Sequence, residues 1–236
     1  MLRYYLCLYL LFYLIQTYAQ TTVIFKQGFE TSGDNWAIEN LSTPPCTNGD
    51  DTWNYHNTLD TILPAEGESF WGIQDLNGNC GSSDFEYLDF KTIDISTLRD
   101  VQLSFQVQVI GFDNGDDMKY QLWFDGISQE EVVFIEGQND FSTDSWLTVS
   151  MSIPNKVTEL KLRISVKQNG SDTAGLDNFL LTGNAFSLCG ELMISEYVEG
   201  LSSSSHRNNY IELYNHRTIK KEIHICRLCW VTDCQK

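Results

Sequence analysis

Residues 101–110 read VQLSFQVQVI, and this stretch decides the fold class of the chain. Apolar residues at the odd positions, from Val101 to Val109, alternate with Gln and Ser at the even positions. Successive side chains of an extended strand point to opposite faces, so this period of two gives one apolar and one polar face. The stretch therefore predicts a β-strand that packs one face on a core.

The same alternation recurs on both sides of this stretch. It is clear in eight further segments, at 23–29, 69–73, 85–95, 119–124, 131–135, 146–153, 160–166 and 176–181, and weaker at 36–39 and 52–56. Clusters of Gly, Asn, Asp and Ser separate these segments, at 47–51, 77–83, 114–117 and 168–173. No helical period continues over a dozen residues. About ten strands with short connections predict an all-β fold, an antiparallel β-sandwich.

Several phrases of this region resemble the jelly-roll sandwiches of secreted adhesion and carbohydrate-binding modules, including the MAM-like group. They are FKQGFE (25–30) followed by Trp36, EYLDFKTIDIS (86–96) with VQLSFQVQV (101–109), and AGLDNFLLTG (174–183). Their order spans nearly the whole of residues 20–185, which we take as one jelly-roll-like domain. Because such folds serve binding modules, adhesion ectodomains and enzyme accessories alike, function must be argued from a site.

A second module is predicted after residue 190. LMISEYVEGLSSSSHRNNYIELYN (192–215) predicts two short strands, 193–196 and 210–214, joined by a Ser- and Asn-rich loop. The pattern resembles the first hairpin of the lamin-tail domain, an immunoglobulin-like β-sandwich. A sandwich of that kind needs about seven strands, and 21 residues follow Asn215. We therefore interpret 190–236 as an incomplete lamin-tail segment with an anomalous tail.

The first nineteen residues predict a signal peptide. Arg3 supplies a positive charge, Tyr4–Ile15 is an apolar run, and Ala19 closes a small-residue cleavage motif before Gln20. The run is too short for a transmembrane helix, and no later run has that length. We expect a secreted protein, extracellular or at the cell surface, with no transmembrane segment after cleavage.

The charge of the chain is uneven. The formal net charge is −17, yet residues 206–236 are net positive, with six Lys or Arg against three Asp or Glu. This change of composition indicates either a different module or a damaged reading frame beyond about His216. The acidic body argues against direct nucleic-acid binding, which depends on Lys and Arg at phosphates.

The resemblance to jelly-roll modules implies a structural calcium ion that ties the first strand to the last. The residues at the corresponding positions are Glu30 and Asp177, with Asp51, or its neighbour Asp50, as a candidate third carboxylate. Calcium takes six to eight oxygen ligands, so carbonyls or waters must complete the site. The alternative is that Glu30 and Asp177 are turn residues bonded to backbone amides. A second acidic run, 113–117, resembles part of a calcium loop, but we favour a solvated hairpin turn there.

The cysteines fit an oxidising compartment. Cys46 and Cys80 lie in loops of the acidic body and make a natural disulfide pair. Cys226, Cys229 and Cys234 have spacing that can bind zinc, but zinc sites usually combine two separated pairs of ligands. A degraded continuation of the lamin-tail strand is therefore favoured over zinc for the tail.

The candidate ligand-binding residues are aromatic. Trp36, Trp53, Tyr55, His56 and Trp71 could form a platform on which sugar rings stack. The alternative is that these rings pack in the core, since strand alternation would bury about half of them.

No catalytic motif is found in the sequence, neither G-x-S-x-G nor H-E-x-x-H nor a phosphate-binding glycine loop. We therefore expect a non-catalytic binding or adhesion module whose partner is an extracellular glycan or a cell-surface or matrix component. The alternative is the N-terminal fragment of a secreted multidomain enzyme, such as an extracellular nuclease that carries a lamin-tail domain. A glycosidase carboxylate pair would also leave no local signature.

Overall fold

The computed structural model of the protein describes residues 22–185 completely, and residues 192–198 and 210–215 as backbone strands. The chain divides into two compact units, 1–185 and 186–236. Every element of the described residues is a β-strand, and the strands are numbered along the chain.

The first sheet of the larger unit has seven strands, in the order β12-β8-β14-β5-β4-β3, and β1 also pairs with β14. All its pairings are antiparallel. Its strands are β1 (Thr22–Gln27), β3 (Cys46–Asn48), β4 (Asp51–His56), β5 (Phe70–Gln74), β8 (Leu98–Ile110), β12 (Leu147–Ser152) and β14 (Thr173–Ala185).

The second sheet also has seven strands, in the order β10-β9-β13-β6-β2, with β11 paired to β9 and β7 paired to β13. These pairings are antiparallel as well. Its strands are β2 (Ile38–Leu41), β6 (Glu86–Phe90), β7 (Ile93–Asp94), β9 (Asp117–Phe124), β10 (Ile127–Ser128), β11 (Val132–Glu136) and β13 (Glu159–Lys167).

From β8 onward the chain crosses between the sheets in the manner of a jelly roll. β8, β12 and β14 belong to the first sheet, and β9, β11 and β13 lie between them in the second. The longer strands of both sheets thus place one face on a common core, and the predicted all-β antiparallel sandwich is confirmed.

The core is built from the inward residues that the alternation predicts. Val101, Leu103 and Phe105 of β8 are almost fully buried, as are Leu160 and Leu162 of β13. Aromatic rings fill the centre between the sheets: Phe179 stacks on Phe105 at 5.1 Å and lies 4.6 Å from Phe90, centroid to centroid. Such packing of rings from both sheets holds the outer faces in fixed positions.

Two short strands were not predicted from the sequence. β3 overlaps the segment 47–51, for which the sequence predicts a turn. The turn itself is only two residues long, and Asn48 on one side of it pairs with Asp51 on the other. Gly49 has a φ of +66°, which a tight hairpin of this kind requires. The other is β10, whose two residues are exposed and carry no burial signal.

The predicted disulfide is confirmed: Cys46 and Cys80 are bonded, with a Cα–Cα distance of 5.4 Å and a sequence separation of 34. It fastens β3, at the edge of the first sheet, to the loop after β5. Within the described residues, no helix is long and apolar enough to cross a membrane.

The smaller unit contains the predicted hairpin. β15 (Leu192–Val198) and β16 (Tyr210–Asn215) pair antiparallel, with Leu192 opposite Asn215. The likeness to a lamin-tail domain stays a prediction. The signal peptide at 1–19 and the tail cysteines at 226, 229 and 234 lie outside the described residues.

Candidate functional site

The outer face of the second sheet combines aromatic and charged side chains at its centre. Strands β6, β13 and β9 are neighbours there, and Arg163 pairs with Asp89 on one side and Gln121 on the other. Since Leu160, Leu162 and Ile164 of β13 point into the core, the residues between them point outward. We call this surface the β6–β13–β9 face, defined by Tyr87, Asp89, Trp123, Lys161 and Arg163.

A carboxylate flanked by two cations lies at the middle of this face. Arg163 donates two hydrogen bonds to Asp89, from Nε to Oδ1 at 2.6 Å and from Nη2 to Oδ2 at 2.8 Å. Lys161 Nζ approaches the same Oδ2 at 3.2 Å. The Asp89 side chain is only 5% exposed, whereas those of Lys161 and Arg163 are 26% and 29% exposed. The cations therefore cover the carboxylate and keep contact with solvent.

The ionisation of this group follows from its contacts. Burial would raise the pKa of the Asp89 carboxyl, but the hydrogen bonds and charges of Arg163 and Lys161 outweigh it and lower the pKa. The hydrogen bond to Asp89 in turn raises the pKa of Arg163, against the effect of burial. Asp89 is therefore ionised and Arg163 protonated at neutral pH, and the two cationic side chains face a single carboxylate.

Two partly exposed rings flank the cations. The Arg163 guanidinium lies 4.0 Å from the centre of the Tyr87 ring and 5.5 Å from that of Trp123. Lys161 Nζ is also 5.5 Å from the Trp123 ring. These distances permit cation–π attraction, which fixes the long side chains in place.

The same face continues toward one end of the sheet. Lys119 Nζ lies 4.0 Å from the centre of the Phe85 ring and is paired with Glu131 at 2.6 Å. Gln121 donates from Nε2 to the Gln129 carbonyl. The surface therefore offers fixed donors and acceptors beside aromatic rings.

The sequence reasoning missed all five defining residues of this face. Tyr87 and Trp123 carry one available signal: each ring stands next to a buried apolar residue of its strand, Tyr87 beside Leu88 and Trp123 beside Leu122. What the sequence did not indicate is that β6, β13 and β9 are neighbours, because long stretches of chain separate them.

The predicted aromatic platform is not formed by the three tryptophans proposed for it. Trp36, Trp53 and Trp71 are each at most 1% exposed and pack in the core, which is the alternative given above. Trp53 and Trp71 contact each other edge to face at 5.2 Å. Trp53 and Trp71 are buried because they hold inward positions of β4 and β5.

Tyr55 and His56 are the remaining members of the predicted platform. Tyr55 is 50% exposed, at the rim of the core, and meets Trp71 edge to face at 4.9 Å. His56 points to the opposite side of β4 and lies 6.4 Å from the Phe70 ring. Burial lowers the pKa of His56, so its imidazole is neutral at physiological pH. The two side chains therefore belong to different surfaces.

The predicted calcium residues Glu30 and Asp177 converge on one loop. Glu30 Oε1 accepts hydrogen bonds from the Glu68 and Ser69 amides at 2.8 and 3.0 Å. Asp177 Oδ2 accepts from the amides of Ala65 and Glu66 at 2.8 and 3.1 Å. Burial raises the pKa of Asp177 to about 6, against the effect of these amide hydrogen bonds.

Backbone strain accompanies both carboxylates. Phe29, directly before Glu30, has a φ of 60°, and Asn178, directly after Asp177, has a φ of 50°. Gly67 has a φ of +73°, and a Cβ at this position would collide with Glu30 Oε1. Non-glycine residues enter this region at a cost of about 1–2 kcal/mol, so the contacts around Phe29 and Asn178 must outweigh that cost.

Asp51, the candidate third calcium ligand, lies elsewhere. Asp51 is the first residue of β4. The pairings of β4 with β5 and of β5 with β14 place Asp177 level with His56, the last residue of β4 and five residues from Asp51. At ~3.3 Å per residue the separation along the strand is about 16 Å. The Asp51 carboxylate instead accepts hydrogen bonds from the amide and side chain of Asn79. The backbone hydrogen bond from Asn79 is the main cause of its lowered pKa.

Another group of carboxylates lies around the turn at 113–117. Asp113, Asp116 and Asp172 have ligand atoms within 4.8 Å of one another. The turn is not wholly solvated as predicted, because Asp116 is fully buried and accepts hydrogen bonds from the Asp113 amide and from Asn169. The pKa of Asp172 is raised to about 7. Burial is the largest cause, and the hydrogen bond with Asp116 and the charge of that residue add to it.

Comparisons with known proteins found similarity to solved structures. No protein-family model matches the sequence, and no curated protein matches it. The K1 cleaved adhesin domain of Lys-gingipain from Porphyromonas gingivalis W83 is 13% identical, with a TM-score of 0.43 over 70% of this chain and 99% of that chain. The carbohydrate-binding module TmCBM61, solved with β-1,4-galactotriose, is 10% identical, with a TM-score of 0.37 over 64% and 88%. The CBM22-1 xylan-binding domain from Paenibacillus barcinonensis Xyn10C is 8% identical, with a TM-score of 0.38 over 71% and 97%.

Proposed function

We propose that this protein is an extracellular, non-catalytic glycan-binding module whose ligand lies across the β6–β13–β9 face. The observation that carries the proposal is the pair of partly exposed rings, Tyr87 and Trp123, on either side of fixed charged groups. Sugar rings present apolar C–H surfaces that stack on aromatic rings, while their hydroxyl groups need hydrogen-bond partners. The face supplies both within one sheet.

The arrangement of the charged groups favours binding without rearrangement. The paired hydrogen bonds from Arg163 to Asp89 and the packing of Arg163 on Tyr87 fix this long side chain before any ligand arrives. Ordering such a side chain on binding costs about 0.5–1.5 kcal/mol, and a pre-ordered side chain avoids much of that cost.

A substitution series with a panel of polysaccharides tests the proposal. We expect the unmodified protein to be retarded in affinity gels by at least one polysaccharide of a panel that includes galactan, xylan and polygalacturonate. Trp123→Ala should weaken binding by about tenfold, a loss within the range of about 1–3 kcal/mol that removal of an aromatic side chain costs when a nucleic-acid base stacks on it. Tyr87→Ala should also weaken it.

Tyr55→Ala is the matched control, because Tyr55 is a half-exposed ring on β4, a strand of the other sheet. Its affinity should equal that of the unmodified protein. Failure of every polysaccharide to bind, or equal binding by Trp123→Ala and the unmodified protein, would overturn the proposal.

A structural calcium ion at Glu30 and Asp177 is a further part of the proposal. It is supported by the convergence of both carboxylates on the loop 65–69 and by the strained backbone at Phe29 and Asn178. Glu30 has a second carboxylate oxygen, whereas the second oxygen of Asp177 accepts a hydrogen bond from the Asn178 amide at 2.6 Å and would have to bind the ion as well. Loop carbonyls and waters would complete the six to eight ligands that calcium takes. The ion would be structural, stiffening the end of the sandwich.

We also propose that the protein is extracellular and that a second module follows the sandwich in the sequence. The disulfide between Cys46 and Cys80 supports export, since such bonds persist mainly outside reducing compartments. The hairpin of β15 and β16 supports a lamin-tail-like module after the sandwich.

A further inference from the structure

Strand β12 forms one end of the first sheet. Within the described residues it pairs with β8 alone, and the register has no shift over the whole strand, from Leu147 to Ser152. The strand carries no charged residue, although residues 22–185 contain 26 Asp or Glu. Its free edge is therefore regular and uncharged, as the pairing with another strand requires.

The other outer strands of the sandwich carry features that hinder such pairing. Natural sheets protect their edges with short strands, bulges and charged side chains. β3 has three residues, and β7 and β10 have two each. β1, β2 and β11 each contain a register shift and a charged residue. Among the outer strands that the structure describes in the sandwich, β12 alone has none of these features.

The inner side of β12 leaves part of the core open. Leu147, Val149 and Met151 lie opposite buried residues of β8, so their side chains point toward the core. Leu147 is nevertheless 44% exposed, and Val149 and Met151 are only partly buried. A strand added beside β12 would continue the sheet and remove this apolar surface from water.

The free backbone groups of β12 follow from its pairing with β8. The Ile153 amide donates to the Val101 carbonyl at 2.9 Å. Hydrogen-bonded residues alternate along an antiparallel strand, so the other odd-numbered residues of β12 also bond to β8. The N–H and C=O groups of Thr148, Ser150 and Ser152 therefore point toward the free edge.

We infer that two copies of this chain pair through β12, antiparallel and centred on Ser150, to form one continuous sheet. A two-fold contact requires a self-complementary strand. In this register Ser150 faces its own equivalent and Thr148 faces Ser152 of the second copy, so all three outward residues can form hydrogen bonds. On the inner side Val149 faces Met151 of the second copy, which places apolar residues together.

The charges beyond the two ends of β12 favour a second copy as the partner. Asp144 precedes the strand, Lys156 follows it, and both are exposed. The two residues are equally far from Ser150 along the sequence. Antiparallel pairing centred on Ser150 therefore brings Asp144 of each copy toward Lys156 of the other. Opposite charges then meet at both ends of the contact, which offsets the repulsion between two acidic domains.

This inference is independent of the proposed function, because β12 belongs to the sheet opposite the β6–β13–β9 face. A single pair of strands is a small interface, so the association should be weak and should depend on concentration. A dimer would carry two β6–β13–β9 faces, which should raise the apparent affinity for a polysaccharide that reaches both.

Sedimentation velocity of the full chain, with its free thiols alkylated, tests the inference over about a hundredfold range of concentration. We expect a monomer–dimer equilibrium. Ser150→Lys places two ammonium groups opposite each other at the two-fold axis and should weaken association by about tenfold or more. Ser150→Pro removes the outward N–H but none of the bonds to β8, and it should have the same effect.

Two further variants serve as control and as rescue. Ser128→Lys makes the same substitution on exposed β10 of the other sheet and should leave association unchanged. Asp144→Lys should weaken association about fivefold, because like charges then meet at both ends. Asp144→Lys/Lys156→Asp restores opposite charges between the copies and should recover the original affinity. Thermal melts check that each variant remains folded.

The outcomes are decisive for the contact and for its register. A chain that stays monomeric over the whole range, or a dimer on which Ser150→Lys has no more effect than Ser128→Lys, would overturn the inference. A charge-exchanged variant that associates no better than Asp144→Lys alone would also count against it. The glycan-binding function is tested separately through Trp123, so failure of the dimer leaves that proposal intact.

Discussion

Replacing the shared carboxylate, Asp89→Asn, should destabilise the sandwich measurably. The substitution leaves Arg163 and Lys161 without an anion while it keeps the shape of the side chain. Removing one partner of a fully buried ion pair costs about 3–5 kcal/mol, whereas exposed pairs contribute about 0–1 kcal/mol.

The exposure of the three side chains places the expected loss between these limits. Asp89 is 5% exposed, so its interactions are strong, but its partners keep about a quarter of their exposure and water can solvate them when the carboxylate is gone. We expect a loss of about 2 kcal/mol in the free energy of unfolding. For a domain of this size that corresponds to about 4–8 °C in Tm.

Urea unfolding followed by tryptophan fluorescence measures this change. A double-mutant cycle with Arg163→Met should give a coupling energy of about 1–2 kcal/mol between positions 89 and 163. Lys119→Met is the control, since its pair with Glu131 is more exposed and should contribute less than about 1 kcal/mol.

The loss of stability caused by Asp89→Asn should also depend on pH. Because the folded-state pKa of Asp89 is lowered, its stabilisation is present above the unfolded value near 4 and is lost as the pH falls through the folded value. The difference between Asp89→Asn and the unmodified protein should therefore shrink in acid. A variant as stable as the unmodified protein at pH 7, with no coupling to Arg163, would refute the view that this network is buried and ordered.

Three further predictions concern stability. The folded-state pKa of Asp172 is raised to about 7, so its contribution to stability is lost as the pH rises from about 4 through 7. Asp172→Asn should therefore be the more stable protein at pH 8 in chelator, and melts that show it less stable there would contradict this cause. Replacing Cys46 and Cys80 together by Ser should cost about 4 kcal/mol, because the bond closes a loop of 34 residues, and reductant should then have no further effect on unfolding. If Glu30 and Asp177 hold calcium, chelation should lower the Tm of the unmodified protein but not that of Glu30→Gln/Asp177→Asn, and an unchanged Tm on chelation would rule the ion out.

Local pattern was sufficient to predict most strands because burial of one face leaves a period of two in the sequence. Residues 101–110 lie within β8, the longest strand of the first sheet together with β14, and their odd positions are buried as the alternation requires. The pattern was insufficient at β3 and β10. Three residues cannot establish a period, and β10 has both side chains exposed.

The aromatic residues show where sequence reasoning about the site was insufficient. Trp53 and Tyr55 follow the same alternation on β4, yet Trp53 is fully buried and Tyr55 is half exposed, because Tyr55 lies at the rim. Alternation assigns a ring to a face of its own sheet. Whether that face is covered depends on what packs against it, which is a property of the whole fold.

The sequence by itself determined the all-β class, most of the strand positions, the disulfide pair and the acidic character of the domain, because each is carried by local pattern or by composition. Only the tertiary structure decided that Tyr87, Trp123, Lys161 and Arg163 share one face with Asp89. The physical reason is that strand neighbours in an antiparallel sandwich are chosen by closure of the core around both sheets. Residues 87 and 163 therefore meet through pairings that no short stretch of sequence encodes.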